Sequence, residues 1–225
     1  MRTRTATRKG SPGHRRDANG QAGFTLMELL IGVILGTIFM FAIYGFYDSS
    51  LSSFTTHRSE VLAQSQARDA MDELGSQLRE AVSPDNGITP PIVSLTPTQI
   101  EFYADMNRSP TEEIPKPTEY LYQIVNGALV REFSQPVGAS PPYSYGAFSS
   151  PETLVPSIAN SSVLPLFAAV NGNGVAMPAT MSTPTTTGIE LVHLTMLVNY
   201  KIGNSAQTYA LNSDVVPINP TSANN

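Results

Sequence analysis

Cysteine is absent from this 225-residue chain, and charged residues are scarce. Without cysteine, the chain cannot form disulfides, zinc knuckles or iron–sulfur clusters, and it has no thiol nucleophile. Charged residues make up 14% of the sequence, against about a quarter in an average soluble domain. Hydrophobic residues make up 41%, which excludes a wholly disordered chain, and the length suits one or two domains.

Proline is missing from one long stretch of a chain that is otherwise rich in it. The sequence holds 18 prolines, yet none lies from Phe24 to Ser83. Because a proline inside a helix costs about 3 kcal/mol, this window predicts a single long helix. The helix is expected to stop at Ser83, since the residue before a proline avoids the α region.

Charge is missing from the first part of that window, where residues 29–47 carry no charged side chain. A run of this length spans the hydrocarbon core of a bilayer, so 24–47 is predicted to be a transmembrane helix in contact with lipid. The preceding leader, 1–23, holds six basic residues and one acid. By the positive-inside rule the N-terminus lies in the cytoplasm. We therefore expect a single-pass protein of the inner (cytoplasmic) membrane with an extracytoplasmic head.

The second part of the window, 48–83, is amphipathic. Its apolar residues recur at helical spacing and form one stripe that another element must cover. The stripe consists of Leu51, Phe54, Val61, Leu62, Met71, Leu74, Leu78 and Val82.

Residues 84–216 have the pattern of a β-rich globular head. Strands are predicted over 99–104, 119–125, 128–134, 164–170, 189–200 and 207–211. Asn126-Gly127 is a strong hairpin signal, and Gly203-Asn204 predicts a second turn. Segments 136–151 and 178–188 are predicted to be surface loops, and 217–225 a flexible tail. We expect an α+β fold in which an antiparallel sheet packs on the membrane-distal half of the long helix.

The junction between leader and helix reads Gly23-Phe24-Thr25-Leu26-Met27-Glu28. One explanation of Glu28 is local, because Thr25 and Glu28 match a capping box in which each side chain bonds the other's backbone N–H. The other explanation is a cationic partner. Cleavage after Gly23 would make Phe24 a new N-terminus, and Glu28 of one subunit would neutralise the Phe24 amine of its neighbour within lipid.

This junction, continued by Leu29-Leu30 and about 19 apolar residues, resembles the prepilin-type cleavage and methylation site of type IV pilins and type II secretion pseudopilins. The resemblance implies that a prepilin peptidase cuts between Gly23 and Phe24 and methylates the Phe24 amine. It implies that Glu28 sets subunit registry during assembly. It also implies the pilin-like fold, and as partners other pilin or pseudopilin subunits and an inner-membrane assembly platform with its ATPase.

Farther along, four segments are similar to PilW-like minor pilins and J-type pseudopilins. These segments are Gln64–Val82, Gln99–Asp105, Glu119–Tyr122 and Leu129–Glu132. The likeness implies a minor subunit at the tip or in the initiation complex of a type IV pilus or type II secretion pseudopilus. The chain also lacks the cysteine pair and the proline within the apolar helix that major pilins often carry.

Enzymatic motifs are absent, so no catalytic residue, cofactor or metal site is expected. The histidines are His14 in the leader, His57 on the helix and His193 in a strand, where a hydrogen-bonded structural role is favoured. Asp105 with Asn107, or the turn at 171–174, could offer oxygen ligands to Ca²⁺. Neither matches a known calcium loop, and a solvated turn is the favoured interpretation of both.

Two other functions remain open. The first is an unprocessed, membrane-anchored extracytoplasmic binding or sensor domain. The second is a minor pilin for DNA uptake in competence. Beyond the leader the chain has 7 basic and 17 acidic residues, and this net charge argues against a general phosphate-binding surface. A local patch of Arg108, Lys116 and Arg131 could still contact nucleic acid.

Overall fold

The computed structural model describes residues 24–85, 87–106, 115–183, 185–202 and 205–217. The predicted leader, with Gly23, lies outside the described residues. Of the predicted tail only Pro217 is described, and it is buried. The chain divides into two compact units, Met1–Ser49 and Ser50–Asn225.

Helix α1 runs from Leu26 to Arg79 without a proline. It ends a few residues before the expected stop at Ser83. Ala81 instead forms a β-bridge with Ala104, and the Val82 N–H donates to the Tyr103 carbonyl at 3.0 Å. Pairing with the sheet therefore ends the helix before Pro84 is reached.

Within the part of the chain that the structure describes, eleven strands and a 3₁₀ helix, Thr185–Gly188, follow α1. The strands are β1 Ile92–Thr96, β2 Gln99–Ala104, β3 Thr118–Val125, β4 Ala128–Ser134, β5 Pro136–Val137, β6 Ser144–Tyr145, β7 Glu152–Val155, β8 Phe167–Val170, β9 Met181–Ser182, β10 Leu191–Ile202 and β11 Ser205–Val215. They form a six-stranded sheet in the order β7-β4-β3-β2-β1-β9, a three-stranded sheet β11-β10-β8, and the pair β5-β6. Each pair of these strands is antiparallel.

The predicted β3–β4 hairpin is confirmed. Asn126 and Gly127 connect the strands with φ of 52° and 77°, as a two-residue type I′ turn requires. Strand β10 also lies close to its predicted bounds, and β11 is longer at both ends than the predicted 207–211. The predicted turn at Gly203-Asn204 lies outside the described residues.

Two sequence-based predictions need correction in this region. In the predicted strand 164–170, only Phe167–Val170 is extended, because the Leu166 N–H donates instead to the Pro97 carbonyl at 2.7 Å. The predicted loops 136–151 and 178–188 contain the two-residue strands β5, β6 and β9.

Among the described residues, one hydrophobic core joins the C-terminal part of α1 to both larger sheets. The helix contributes Ala67, Ala70, Met71, Leu74 and Leu78. The strands contribute Leu95, Ile100, Phe102, Tyr122, Leu129, Val155, Leu194, Met196 and Val198, among others. The α+β fold with a long N-terminal helix and a mostly antiparallel β-sheet head is thus confirmed.

The sheets cover less of the helical stripe than the sequence suggests. Packing against the core begins at Ala63. Leu51, Phe54, Val61 and Leu62 belong to the same predicted stripe but remain 46–69% exposed.

Candidate functional site

The first turn of α1 holds the residues that the sequence singles out. Thr25 precedes the helix and caps it, because its Oγ1 accepts a hydrogen bond from the Glu28 N–H at 3.2 Å. Glu28 reaches back in return. Its Oε2 accepts the Thr25 N–H at 3.0 Å and the Thr25 hydroxyl at 3.1 Å. The capping box predicted from Thr25 and Glu28 is therefore confirmed, and it satisfies backbone donors that a helix start leaves unpaired.

The capping box leaves part of the Glu28 carboxylate available. Both hydrogen bonds that the carboxylate accepts use Oε2. Within the described residues Oε1 has no hydrogen bond and Glu28 has no ion-pair partner. The side chain is exposed. A carboxylate near the start of an apolar helix can therefore cap its own chain and still present one oxygen to an external cation.

Phe24 lies directly before this turn. Its side chain is 85% exposed. The peptide bond between Phe24 and Thr25 supplies the N–H that donates to the Glu28 carboxylate. Gly23 lies outside the described residues. Cleavage before Phe24 would leave the Thr25 amide intact, so the capping box does not depend on the leader.

The helix that follows is long and apolar enough to cross a membrane. Leu26–Leu51 has a mean hydropathy of 2.4, and none of its side chains is buried within the chain. Gly32, Gly36 and Gly45 lie in this segment with open space around them. Tyr44 and Tyr47 lie toward its C-terminal end, and amphipathic aromatic rings of this kind are typical of the bilayer surface.

Comparison with known proteins identifies this segment. The family model described as the prokaryotic N-terminal methylation motif matches residues 18–44. This chain carries a prokaryotic N-terminal methylation motif. No curated protein matches the chain.

The methylation motif supports the type IV pilin and pseudopilin family. It supports a pilin-like subunit that is processed by prepilin peptidase and assembles with other pilins. Together with the apolar helix, it supports a membrane-anchored, single-pass protein. It points to a structural subunit rather than an enzyme.

Arg131, a member of the basic patch considered for nucleic acid, has carboxylate partners within the head. Its guanidinium bonds Glu73 of α1, and Glu152 of β7 at 2.5 Å. The side chain is only 16% exposed. Arg108 lies outside the described residues, and Lys116 donates its N–H to Asp105 at 3.0 Å. Arg131 is therefore committed to the helix–sheet contact.

Sequence reasoning did not identify the contact of Arg131 with Glu73 and Glu152. Gln77 of α1 donates to Glu73 at 3.1 Å and accepts the Tyr122 hydroxyl at 2.8 Å, which extends the network across the helix–sheet boundary. A signal was present, because Glu73 and Gln77 are four residues apart on a helix whose apolar side is buried. Nothing in the sequence, however, says which strand residues lie opposite them.

The other candidate ligands are engaged locally. His193 contacts Asp214 across β10 and β11, with 2.5 Å between Nδ1 and Oδ1. The Asn171 side-chain oxygen accepts the N–H groups of Asn173 and Val175 at 3.1 and 3.0 Å. Asn107 lies outside the described residues. Within the described part of the chain, no three His, Cys, Asp or Glu side chains are grouped to hold a metal.

Proposed function

We propose that this chain is a minor pilin or pseudopilin, a structural subunit of an extracytoplasmic filament. Prepilin peptidase cuts it between Gly23 and Phe24 and methylates the new Phe24 amine. The observation that carries this proposal is Glu28, a carboxylate in the first turn of α1. It lies within the matched methylation motif and directly before the uncharged run 29–47. An acid in that position has a cost in lipid that a cationic partner would remove.

Glu28 sets the registry between neighbouring helices in this proposal. The positive end of the helix dipole and the Thr25 contacts hold the carboxylate at the helix start. Its Oε1 then accepts the Phe24 amine of an adjacent subunit, and the two charges enter the filament core as a pair. Packing between helices replaces contact with lipid, so cohesion comes from close van der Waals contact.

The proposed topology follows from charge. The basic leader stays in the cytoplasm and the head faces outward, so the helix lies in the inner membrane until it is extracted. An external ATPase and its membrane platform supply the work of extraction. The subunit takes a position at the tip or in the initiation complex, as its likeness to PilW-like and J-type chains suggests.

Mass spectrometry of the chain in membranes and in sheared filaments tests processing and assembly. We expect the N-terminus to be methylated Phe24, with the leader removed, and a low stoichiometry against the major subunit. In the Gly23→Ala variant we expect the leader to be retained. Detection of only the full-length, unprocessed chain in wild-type cells would overturn the proposal in favour of a tethered ectodomain.

A matched pair of variants separates registry from capping. Glu28→Gln keeps an oxygen that can cap Thr25 but removes the charge, so we expect normal cleavage and loss of incorporation into filaments. Thr25→Val removes the cap and keeps the charge. It should cost about 1 kcal/mol of helix stability and leave incorporation in place. Equal incorporation of both variants would contradict a registry role for Glu28.

A further inference from the structure

Strand β11 presents a long edge with no partner among the described residues. It is the outermost strand of the three-stranded sheet, and it runs for 11 residues. Its residues from Ser205 to Asp214 are exposed or half-buried. Asp214 is its sole charged residue, and it contains no proline or lysine. Such an edge is a ready template for another strand.

The other described sheet edges are protected. In the six-stranded sheet, β9 has two residues, and β7 has four. Strand β7 also begins with Glu152 and is flanked by Pro151 and Pro156. Short strands, charge and proline are the usual means of blocking edge pairing.

The outer side of β8 is covered by the chain itself. Val170 forms a bridge with Ala176, and Ala169 accepts the Met177 N–H at 2.9 Å. Among the described sheet edges, β11 alone is thus both long and unprotected.

The register between β10 and β11 shows which backbone groups point outward. On β10, the N–H groups of Thr195 and Asn199 bond Leu166 and Ser157, on the β8 side. Antiparallel strands alternate the direction of their backbone groups from one residue to the next, so the backbone groups of Met196 and Val198 face β11. Met196 pairs with Leu211, and Val198 with Tyr209.

It follows that the alternate residues of β11 point their N–H and C=O groups away from the sheet. These residues are Ala206, Thr208, Ala210, Asn212 and Asp214.

We propose that β11 receives an added strand from a different subunit of the same filament, an inference that rests on the proposed function. The incoming segment is extended and mostly uncharged, because Asp214, the sole charged residue of β11, already contacts His193. On the core-facing side it places apolar side chains against Tyr209 and Leu211, which are half-buried. Backbone hydrogen bonds provide the affinity, as in other strand additions. The apolar side chains that pack against Tyr209 and Leu211 provide the specificity.

The size of the contact favours a neighbour that is already held nearby. One added strand is a small interface compared with the roughly 1,200–2,000 Å² of stable complexes. Subunits anchored side by side by their membrane helices bind at a high effective concentration, so a small contact is sufficient. A soluble partner would lack this advantage.

Site-specific photo-crosslinking in membranes of cells that express the whole assembly tests the proposal. The full-length chain carries a photoreactive benzoylphenylalanine at Thr208, on the open edge of β11. The matched control carries it at Thr153, which is exposed on the protected edge of β7. We expect an adduct with a second, different subunit from Thr208 and little or none from Thr153.

A proline variant tests the backbone contact. Ala210→Pro removes an outward N–H and leaves the ladder with β10 intact, as edge strands tolerate. We expect the Thr208 adduct to fall by about fivefold to tenfold, as for one lost backbone hydrogen bond. The head should keep its melting temperature within a few degrees, and Ala210→Ser should crosslink like the parent.

The outcomes separate this inference from the proposed function. A processed chain in filaments that yields no Thr208 adduct overturns the inference alone. So does an adduct with a second copy of this chain, or an adduct unaffected by Ala210→Pro in a folded head. A chain that keeps its leader and is missing from filaments overturns the proposed function, and the inference with it.

Discussion

At the scale of single residues, Arg131 connects the helix to the sheet. It bonds Glu73 on α1 and Glu152 on β7, while Gln77 joins Glu73 to the Tyr122 hydroxyl. Arg131 itself is mostly buried, and the two carboxylates are 38% and 59% exposed. Water can therefore solvate the acids if the arginine is removed, which limits the cost of breaking the pairs.

We predict that Arg131→Met lowers the free energy of unfolding by about 1–3 kcal/mol, less than a fully buried pair would cost. The control, Arg68→Met, lies on an exposed part of the same helix and should change stability by no more than about 0.5 kcal/mol. Urea unfolding in detergent, followed by tyrosine fluorescence because tryptophan is absent, measures both. Equal stability of the two variants would show that the ion pairs contribute nothing.

A second residue, Asp85, holds the connection between α1 and β1. Its Oδ1 accepts the Thr89 N–H, and its Oδ2 the Thr89 hydroxyl, each at 2.6 Å. The Ser83 hydroxyl donates to Oδ1 at 3.0 Å. Burial alone would raise the pKa of Asp85, but the hydrogen bonds from Thr89 and Ser83 outweigh it and lower the pKa.

Because the pKa of Asp85 is lower in the folded state, its negative charge stabilises the fold at pH values above the ordinary carboxyl pKa. This contribution disappears as the pH falls through the folded-state pKa. We predict that Asp85→Asn is less stable than the parent at neutral pH and that the difference shrinks toward zero in strong acid. Unfolding free energies of both chains across the acid range measure this. A difference independent of pH would show that the charge has no role.

At the scale of elements, burial changes along α1. Leu74 and Leu78 are fully buried against the sheets, whereas Leu62 is 56% exposed. Leucines at different positions of α1 therefore contribute very different amounts to the stability of the fold, because hydrophobic stabilisation follows the apolar area removed from water.

We predict that Leu74→Ala costs about 2–5 kcal/mol of unfolding free energy, from lost burial and the cavity left behind. Leu62→Ala should change it by no more than about 0.5 kcal/mol. Thermal melts of the two variants in detergent provide the comparison. A large loss for Leu62→Ala would mean that the head covers more of the helix than Ala63 onward.

At the scale of the whole molecule, the core lies entirely within one of the two compact units. The buried hydrophobic residues begin at Ala67, in the unit that spans Ser50–Asn225. The apolar segment Leu26–Leu51 contributes no buried side chain. The membrane-spanning segment and the folded head therefore have separate sources of stability.

We predict that trypsin cleavage at the exposed Arg58 releases a fragment whose melting temperature stays within a few degrees of the parent. The reason is that the fragment keeps every core residue. Calorimetry of the released fragment and of the intact chain in detergent gives the comparison. A markedly lower transition in the fragment would show that residues before Ser59 support the head.

The sequence alone determined the helix, the span, the β3–β4 hairpin and the position of Glu28 in a capping box. Each of these features follows from a local rule. Proline disrupts the interior of a helix, a long uncharged apolar run is favourable in lipid, and Asn-Gly readily adopts the positive φ of a tight turn. The end of α1 and the short extent of its covered stripe could be seen only in the folded chain. The same is true of the contact of Arg131 with Glu73 and Glu152, and of the position of β11 at a sheet edge. These features depend on contacts between residues far apart in the chain, and a pattern within a short window carries no information about its distant partner.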